Sequence, residues 1–279
     1  MLAGRQVTVN QAVWRGGDFV DDYAGRALEP VEALLLARYR EPLSGRTLEL
    51  GCGAGRLLGY LVQLGFEAHG VDISLRMVAH CRRTYPEARV RAGDLCRPQD
   101  CAEGRFDAIW ITAAALDTLD DFARRRVLGE LTEMIGSNGI LIFSSHNLDA
   151  PRPDSPRLLD GLRGPWSLDR TEAALGALAR RAAATSPGGA LRAVTESAGA
   201  WRRRRVLSRM TYRSEGHAVL NGPEHGYRLL HYYVGRDEQE RQLRELGYAL
   251  SECLDRDGHP VAPGERSTSE ELHYVAYPR

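Results

Sequence analysis

Between Arg46 and Asn147 the chain alternates short apolar runs with amphipathic segments. "RTLELGC" reads as a buried strand and Arg56 to Leu64 as a helix. "EAHGVDIS" is a second strand, followed by a helix from Leu75 to Thr84. "ARVRAGDL" and "RFDAIWIT" read as a third and a fourth strand, "DDFARRRVLGELTEMIG" as a helix and "NGILIFSSHN" as a fifth strand. Runs too short for helices, joined by helical segments through brief connections, predict a parallel sheet wrapped by helices on both faces. Before this unit, "EPVEALLLARYR" reads as a helix with Pro30 in its first turn.

The regularity stops near Leu148, where "DAPRPDSP" punctuates the chain. "TEAALGALARRAAA" and "ESAGAWRRRRVLSRM" then carry helical patterns, with "SPGG" between them. "RDEQERQLRELG" reads as a helix that Gly247 stops, and "YALSECLD" and "ELHYVAYP" as two closing strands. The expected organisation is an N-terminal and core unit over 1–147, a mainly helical insert or lid over 148–234, and a return to the core over 235–279.

The chain contains no lysine; all 37 Lys-plus-Arg residues are Arg. Schiff-base chemistry on pyridoxal phosphate and a lysine-bearing phosphate loop are thereby excluded. Net charge is +0, so no global field recruits nucleic acid or an anionic membrane. The five cysteines form no C-x-x-C pair, which predicts reduced thiols and no structural zinc. No signal-peptide core or membrane-length apolar window is present, and a cytoplasmic location is expected.

Gly51, Gly53 and Gly55 fall where the first strand gives way to a helix. The first permits a tight turn, the second lets backbone approach a ligand closely, and the helix aims its N-terminus there. Nucleotide-like ligands bind at such a turn. A dinucleotide fingerprint would place a third glycine at 56, where Arg56 is expected to spoil close helix–strand packing. Glu49, Asp72 and Asp94 lie at the ends of consecutive strands. They suit a ligand with a ribose, an amine and a positive charge, and would repel a pyrophosphate.

"LELGCGAGR", "VDIS", "AGDL", "FDAIWI" and "NGILIFSSHN", in this order and spacing, resemble the motifs of class I S-adenosylmethionine-dependent methyltransferases. The resemblance covers about Thr47 to Asn147. It implies an α/β, Rossmann-like seven-stranded sheet with helices on both faces. "ELHYVAYP" would be the antiparallel last strand, paired between its neighbours, and the helical insert would follow the fifth strand. It also implies S-adenosylmethionine as cofactor. By position, Glu49 and the Gly51, Cys52, Gly53 and Gly55 turn would hold the methionine part, and Asp72 with Ile73 the ribose. Asp94 and Leu95 would flank the adenine, and Thr112 would lie near the methionine end.

For the acceptor, His146 is the first choice of base, with His231 and Tyr23 as further catalytic candidates and Asn147, Tyr232 and Tyr233 as substrate contacts. His225, in "EHGY", is the weakest candidate. Each has a plain alternative: a hydrogen-bonded structural histidine, or aromatic packing of the insert and an N-terminal helix. No N-P-P-Y follows the fourth strand, which counts against a nucleic-acid nitrogen methylase. Asp117 and Asp120, three apart, form no metal pattern, and no metal is expected. The run Trp201 to Arg209 would spread its arginines around a helix rather than make one nucleic-acid face. The expected partner is a small molecule or peptide, methylated at nitrogen or oxygen. Nucleic acid and membrane are not expected, and a homodimer is allowed. The alternatives are an RNA or protein methylase using the arginine run, and a non-catalytic cofactor-binding subunit.

Overall fold

The computed structural model describes residues 4–16, 19–151 and 199–279. The expected helix "TEAALGALARRAAA" lies outside the described residues.

In chain order, α1 (Arg5–Arg15), α2 (Val20–Tyr23), α3 (Pro30–Arg38) and α4 (Arg40–Leu43) precede β1 (Arg46–Leu50). Then follow α5 (Arg56–Gln63), β2 (Glu67–Asp72), α6 (Leu75–Thr84), β3 (Arg89–Ala92), α7 (Pro98–Cys101) and β4 (Phe106–Ile111). A 3-10 turn (Ala115–Thr118), α8 (Asp121–Met134) and β5 (Ile135–Asn147) complete the first unit. A helix over 199–207, α9, leads into β6 (Tyr212–Arg213), β7 (His217–Asn221) and β8 (Leu230–Val234). The chain closes with α10 (Arg236–Glu245), β9 (Tyr248–Leu254) and β10 (Glu271–Pro278).

The strands order as β3-β2-β1-β4-β5, with β10 antiparallel between β5 and β9. β1 to β5 pair in parallel. The reversal of strand order between β1 and β4 opens a crevice at the carboxyl ends of the strands, where ligands of such sheets sit. Successive side chains of a strand alternate between faces, and both faces here are covered. Ile109, Ile111, Leu141 and Phe143 join one core cluster, while Ala108, Trp110, Ile140 and Ile142 join the other. Leu48 and Leu50 lie with the first set, so Glu49 takes the opposite side of β1.

The described part of the insert beyond 199 is helical only at its start. From 199 onward the helix ends at 207, and β6, β7 and β8 form an antiparallel meander. β8 continues the sheet by pairing in parallel with the end of β5, His146 opposite Tyr233 and Asn147 opposite Val234. "LHYYV" is β-branched and aromatic, the composition of a strand, and β5 runs long enough to supply its edge.

Arg56 departs from expectation. It does not wedge between α5 and the sheet but turns toward α3, where its guanidinium grips both carboxylate oxygens of Glu32. Glu32 accepts in addition from Glu29 N at 2.8 Å. The close packing occurs at Gly55 and Gly59 instead, where an added Cβ would stand 2.7 Å from the Tyr85 ring.

Candidate active site

The β1–α5 turn is tied to the end of β2. Gly51 N and Cys52 N both donate to Val71 O, and Gly53 N donates to Asp72 Oδ2 at 2.8 Å. Asp72 Oδ1 accepts from Ser74 N at 2.8 Å, so one carboxylate locks the glycine turn to the start of α6. Gly51 has φ +74° and a Cβ there would meet Ala115 Cβ at 2.9 Å, which no other residue tolerates cheaply. Over Gly53 nothing lies within 4 Å of a built Cβ, so the turn presents bare main chain to open space.

That space is a cavity of about 1080 Å³ along the carboxyl ends of the strands. Its floor includes Glu49, Gly51, Cys52, Gly53, Asp72 and Thr112, with Ile73, Met77 and Leu95 as an apolar wall. Glu49 is 1% exposed; it accepts from Thr112 Oγ1 at 3.1 Å, and its Oε2 has no partner. Burial pushes its carboxyl up to about 8, against the Thr112 hydrogen bond. Burial also raises Asp72, against the backbone N–H groups it accepts from. Two desolvated carboxyls beside bare main chain make a site that favours a ligand carrying hydroxyls and positive charge.

Gly55 takes φ +84° at the N-cap of α5, under Tyr85 rather than on the cavity. Asp94 does not line the cavity either. α1 lies across it: Gln11 Nε2 donates to Asp94 Oδ2 at 2.8 Å, Arg15 stands 3.7 Å away, and Cys96 N takes Oδ1. Leu95, the next residue, does reach the cavity. α1 is held by Asn10, whose side chain both donates to Leu230 O and accepts from Leu230 N.

The far side of the cavity carries the acceptor candidates. His146, His231 and Tyr233 all line it, the His146 ring centroid lying 4.7 Å from that of His231 and 4.8 Å from that of Tyr233. Tyr232 does not. Being between two inward residues on β8, it points to the opposite face, is 0% exposed, and donates to Asp121 Oδ1 at 2.7 Å. Asn147 lies at the cavity edge, but its amide is spent on the chain. Nδ2 donates to Ser267 O and Ser269 O, and Oδ1 accepts from Asp149 N.

Tyr23 lines the cavity within an aromatic wall. Its hydroxyl is 3.1 Å from His225 Nε2, and the two rings stack with Trp14 and Phe19 edge-on to the histidine. His225, Gly226 and Tyr227 take positive φ in succession, a strained turn that Arg203 braces by donating to Gly226 O at 2.8 Å. Arg204 faces the cavity as well, so the arginine run is split between inward and exposed positions.

Sequence reasoning weighed Asp117 only as a metal ligand and did not foresee its tie to His146. It is 0% exposed, and it accepts from His146 N at 2.6 Å, His146 Nδ1 at 2.8 Å, Ser145 Oγ at 2.8 Å and the Arg124 guanidinium. Burial alone would raise this carboxyl; the Arg124 charge and the His146 hydrogen bonds outweigh it and hold it below its usual range. Trp14, Tyr85 and Glu271 were not singled out. Glu271 lines the cavity opposite His146 in the β5–β10 register.

Residues 47–139 match the family model described as a methyltransferase domain. The chain is 30% identical over 123 residues to the malonyl-[acyl-carrier protein] O-methyltransferase of Enterobacter lignolyticus, covering 42% of this chain and 45% of that protein. It is 29% identical over 114 residues to a putative methyltransferase of Bacillus subtilis, covering 38% of this chain and 44% of that one. The chain thus spans less than half the length of these curated relatives. Among solved structures, the CcbJ methyltransferase from Streptomyces caelestis superposes with a TM-score of 0.55 at 15% identity, over 95% of this chain and 96% of that one. The glycopeptide N-methyltransferase MtfA, complexed with S-adenosyl-L-methionine, gives 0.52 at 16% identity, over 91% and 96%. At such identities the likeness is one of fold.

Proposed function

We propose that this chain, whose core is a class I S-adenosylmethionine-dependent methyltransferase domain, transfers a methyl group from that cofactor to a nitrogen or oxygen of a small or medium-sized metabolite or peptide. The carrying observation is one continuous cavity. The glycine turn and two desolvated carboxyls, Glu49 and Asp72, occupy one part of it, and His146, His231 and Tyr233 another.

The residues fit the cofactor. Asp72 has both oxygens fixed by backbone N–H groups yet still lines the cavity, an arrangement suited to ribose hydroxyls. Glu49 offers an unpartnered buried oxygen to a cationic methionine end, with Gly51 and Gly53 as bare main chain beside it. Ile73, Met77 and Leu95 offer a purine an apolar wall. When bound, the cofactor supplies a methyl group activated by its sulfonium. The chain's own work is to exclude water and orient the acceptor, an effect of about 7–11 kcal/mol in well-positioned reactions.

The cavity exceeds the usual range for one small ligand, about 300–1,000 Å³, which leaves room for an acceptor beside the cofactor. An extended nucleic-acid face gains no support from the arginine run, since Arg203 and Arg204 are turned to the 226–227 turn and the cavity. A metabolic enzyme of the cytoplasm, acting in a specialised pathway, is the setting this reading favours. Calorimetry with S-adenosylhomocysteine and with NAD tests it. The first is expected to bind in the micromolar range and the second not at all. Asp72→Ala is expected to weaken the first by about tenfold or more, the loss of a charged hydrogen bond. Equal binding of NAD, or an unchanged affinity in the variant, would remove the reading.

A further inference from the structure

Between Gly199 and Val234 the chain carries seven arginines against two glutamates, a net +5 in a chain whose charges cancel. The cavity shows the same imbalance. Among the described residues, every carboxylate on it comes from elsewhere: Asp22 and Glu29 from before the core, Glu49 and Asp72 from β1 and β2, Glu270 and Glu271 from the start of β10 and the residue before it. The wall built by residues 199–234 contributes Arg204 and Arg213 and no described carboxylate.

Arg213 differs from the other arginines of the cavity. Arg56 is held by Glu32 and Arg256 by Glu29, while Arg26 lies over the Tyr23 ring and donates to Asp22 O at 2.6 Å. Arg204 stands over the Tyr227 ring at 5.6 Å. The Arg213 guanidinium lines the cavity and makes no ion pair, hydrogen bond or ring contact among the described residues. Strand pairing explains where it points. Arg213 on β6 lies opposite Ala218 on β7, Ala218 opposite Tyr233 on β8, and Tyr233 opposite His146 on β5. Residues directly opposite share a face of the sheet, so Arg213 shares the face of Tyr233 and His146. Tyr212, one residue earlier, takes the other face, in a separate pocket with Asp120 and Asp121.

β6 ends the sheet, five strand spacings from β1. At about 4.8 Å each, this is roughly 24 Å along the sheet. The amino-acid end of the cofactor, proposed beside Glu49 on β1, is therefore out of reach of Arg213. A cation on the wall of a cleft focuses the field into it and concentrates anions there. A guanidinium fork matches two oxygens of a carboxylate or phosphate. We infer that the methyl acceptor carries a carboxylate or phosphate, and that Arg213 receives it at the β6 end of the cavity. The acceptor's role rests on the methyltransferase reading; the anion site does not. The acceptor then lies along the cavity, its anionic group at β6 and its methylated atom toward the β1–α5 turn. Arg213 selects the acceptor and takes no part in the transfer.

NMR titration of the full chain, 15N-labelled and free of cofactor, with sodium phosphate and with sodium acetate at constant ionic strength tests the site. The Arg213 Nε–H signal, assigned with Arg213→Gln, is expected to shift and saturate. Arg202, Arg209 and Arg228, exposed arginines of the same segment, are expected to respond weakly and without saturation. Arg213 is exposed on a two-residue strand, so its replacement leaves the core intact. The Ala218 amide, opposite position 213, reads the variants. Arg213→Gln is expected to weaken the bound ion by about tenfold or more, the loss of a charge-assisted hydrogen bond. Arg213→Lys keeps the charge without the fork and is expected to fall between. Saturation by either ion together with that loss upholds the inference, and the tighter ion names the group. An Arg213 response no different from those of the exposed arginines, or an affinity unchanged in Arg213→Gln, would overturn it. The titration needs no cofactor, so its failure is distinct from failure of the calorimetry.

Discussion

Glu49 carries the sharpest prediction at the scale of a residue. Burial lifts its carboxyl to about 8 from an unfolded value of 4.5, so between these limits the folded chain holds a proton that the unfolded chain has released. Stability falls with rising pH wherever the folded state binds more protons. His273 works the other way: burial lowers it to about 4 from 6.5, and it adds stability as pH rises through that range. Comparing wild type with Glu49→Gln from pH about 6.5 upward cancels the His273 contribution, which both proteins share. From there to pH about 8 the wild type is expected to lose about 2 kcal/mol that Glu49→Gln retains. Denaturant unfolding at the two pH values measures this, and parallel slopes for the two proteins would show Glu49 ionised throughout. Asp72 and Glu49 were legible in sequence because each sits at a fixed distance from a glycine turn. Asp117 was not, because its donors come from α8 and β5, and no spacing along the chain announces that meeting.

At the scale of an element, β8 decides which aromatics face the cavity. "HYY" read equally as contacts to the acceptor or as packing of the insert on the core, with no division among its three residues. As a strand it must alternate, and His231 and Tyr233 face the cavity while Tyr232 ties β8 to α8 and α10. Tyr232→Phe is expected to cost about 1 kcal/mol of stability through its lost hydrogen bonds and to leave S-adenosylhomocysteine affinity unchanged. A parallel thermal-unfolding and binding measurement checks it; weakened binding without destabilisation would place Tyr232 in the site. The core strands and helices were legible because their apolar period is strong. The helix Leu75–Thr84 and the strand Glu271–Pro278 coincide with the expected segments. The meander after 207 was not, because its strands are short and one carries only two residues. α1 hid a further effect: its Gln11 occupies the carboxylate of Asp94 that strand order alone would hand to a ligand.

At the scale of the molecule, the sheet supplies the part of the cavity that holds the glycine turn, and the added segments supply the rest. Trp14 and Tyr23 come from before the core, His225 and His231 from after it, Arg256 from the turn after β9 and Glu271 from β10. No helix among the described residues is long and apolar enough to cross a membrane. The proposed methyl transfer requires a sulfonium cofactor at the turn between β1 and α5. A crystal structure grown with S-adenosylhomocysteine measures this most directly. Density is expected along Gly51 and Gly53, with ribose hydroxyls on Asp72 and the amino-acid end beside Glu49, and His231 across the cavity. Density anywhere else in the cavity, or a glycine turn covered by the chain's own side chains, would contradict it.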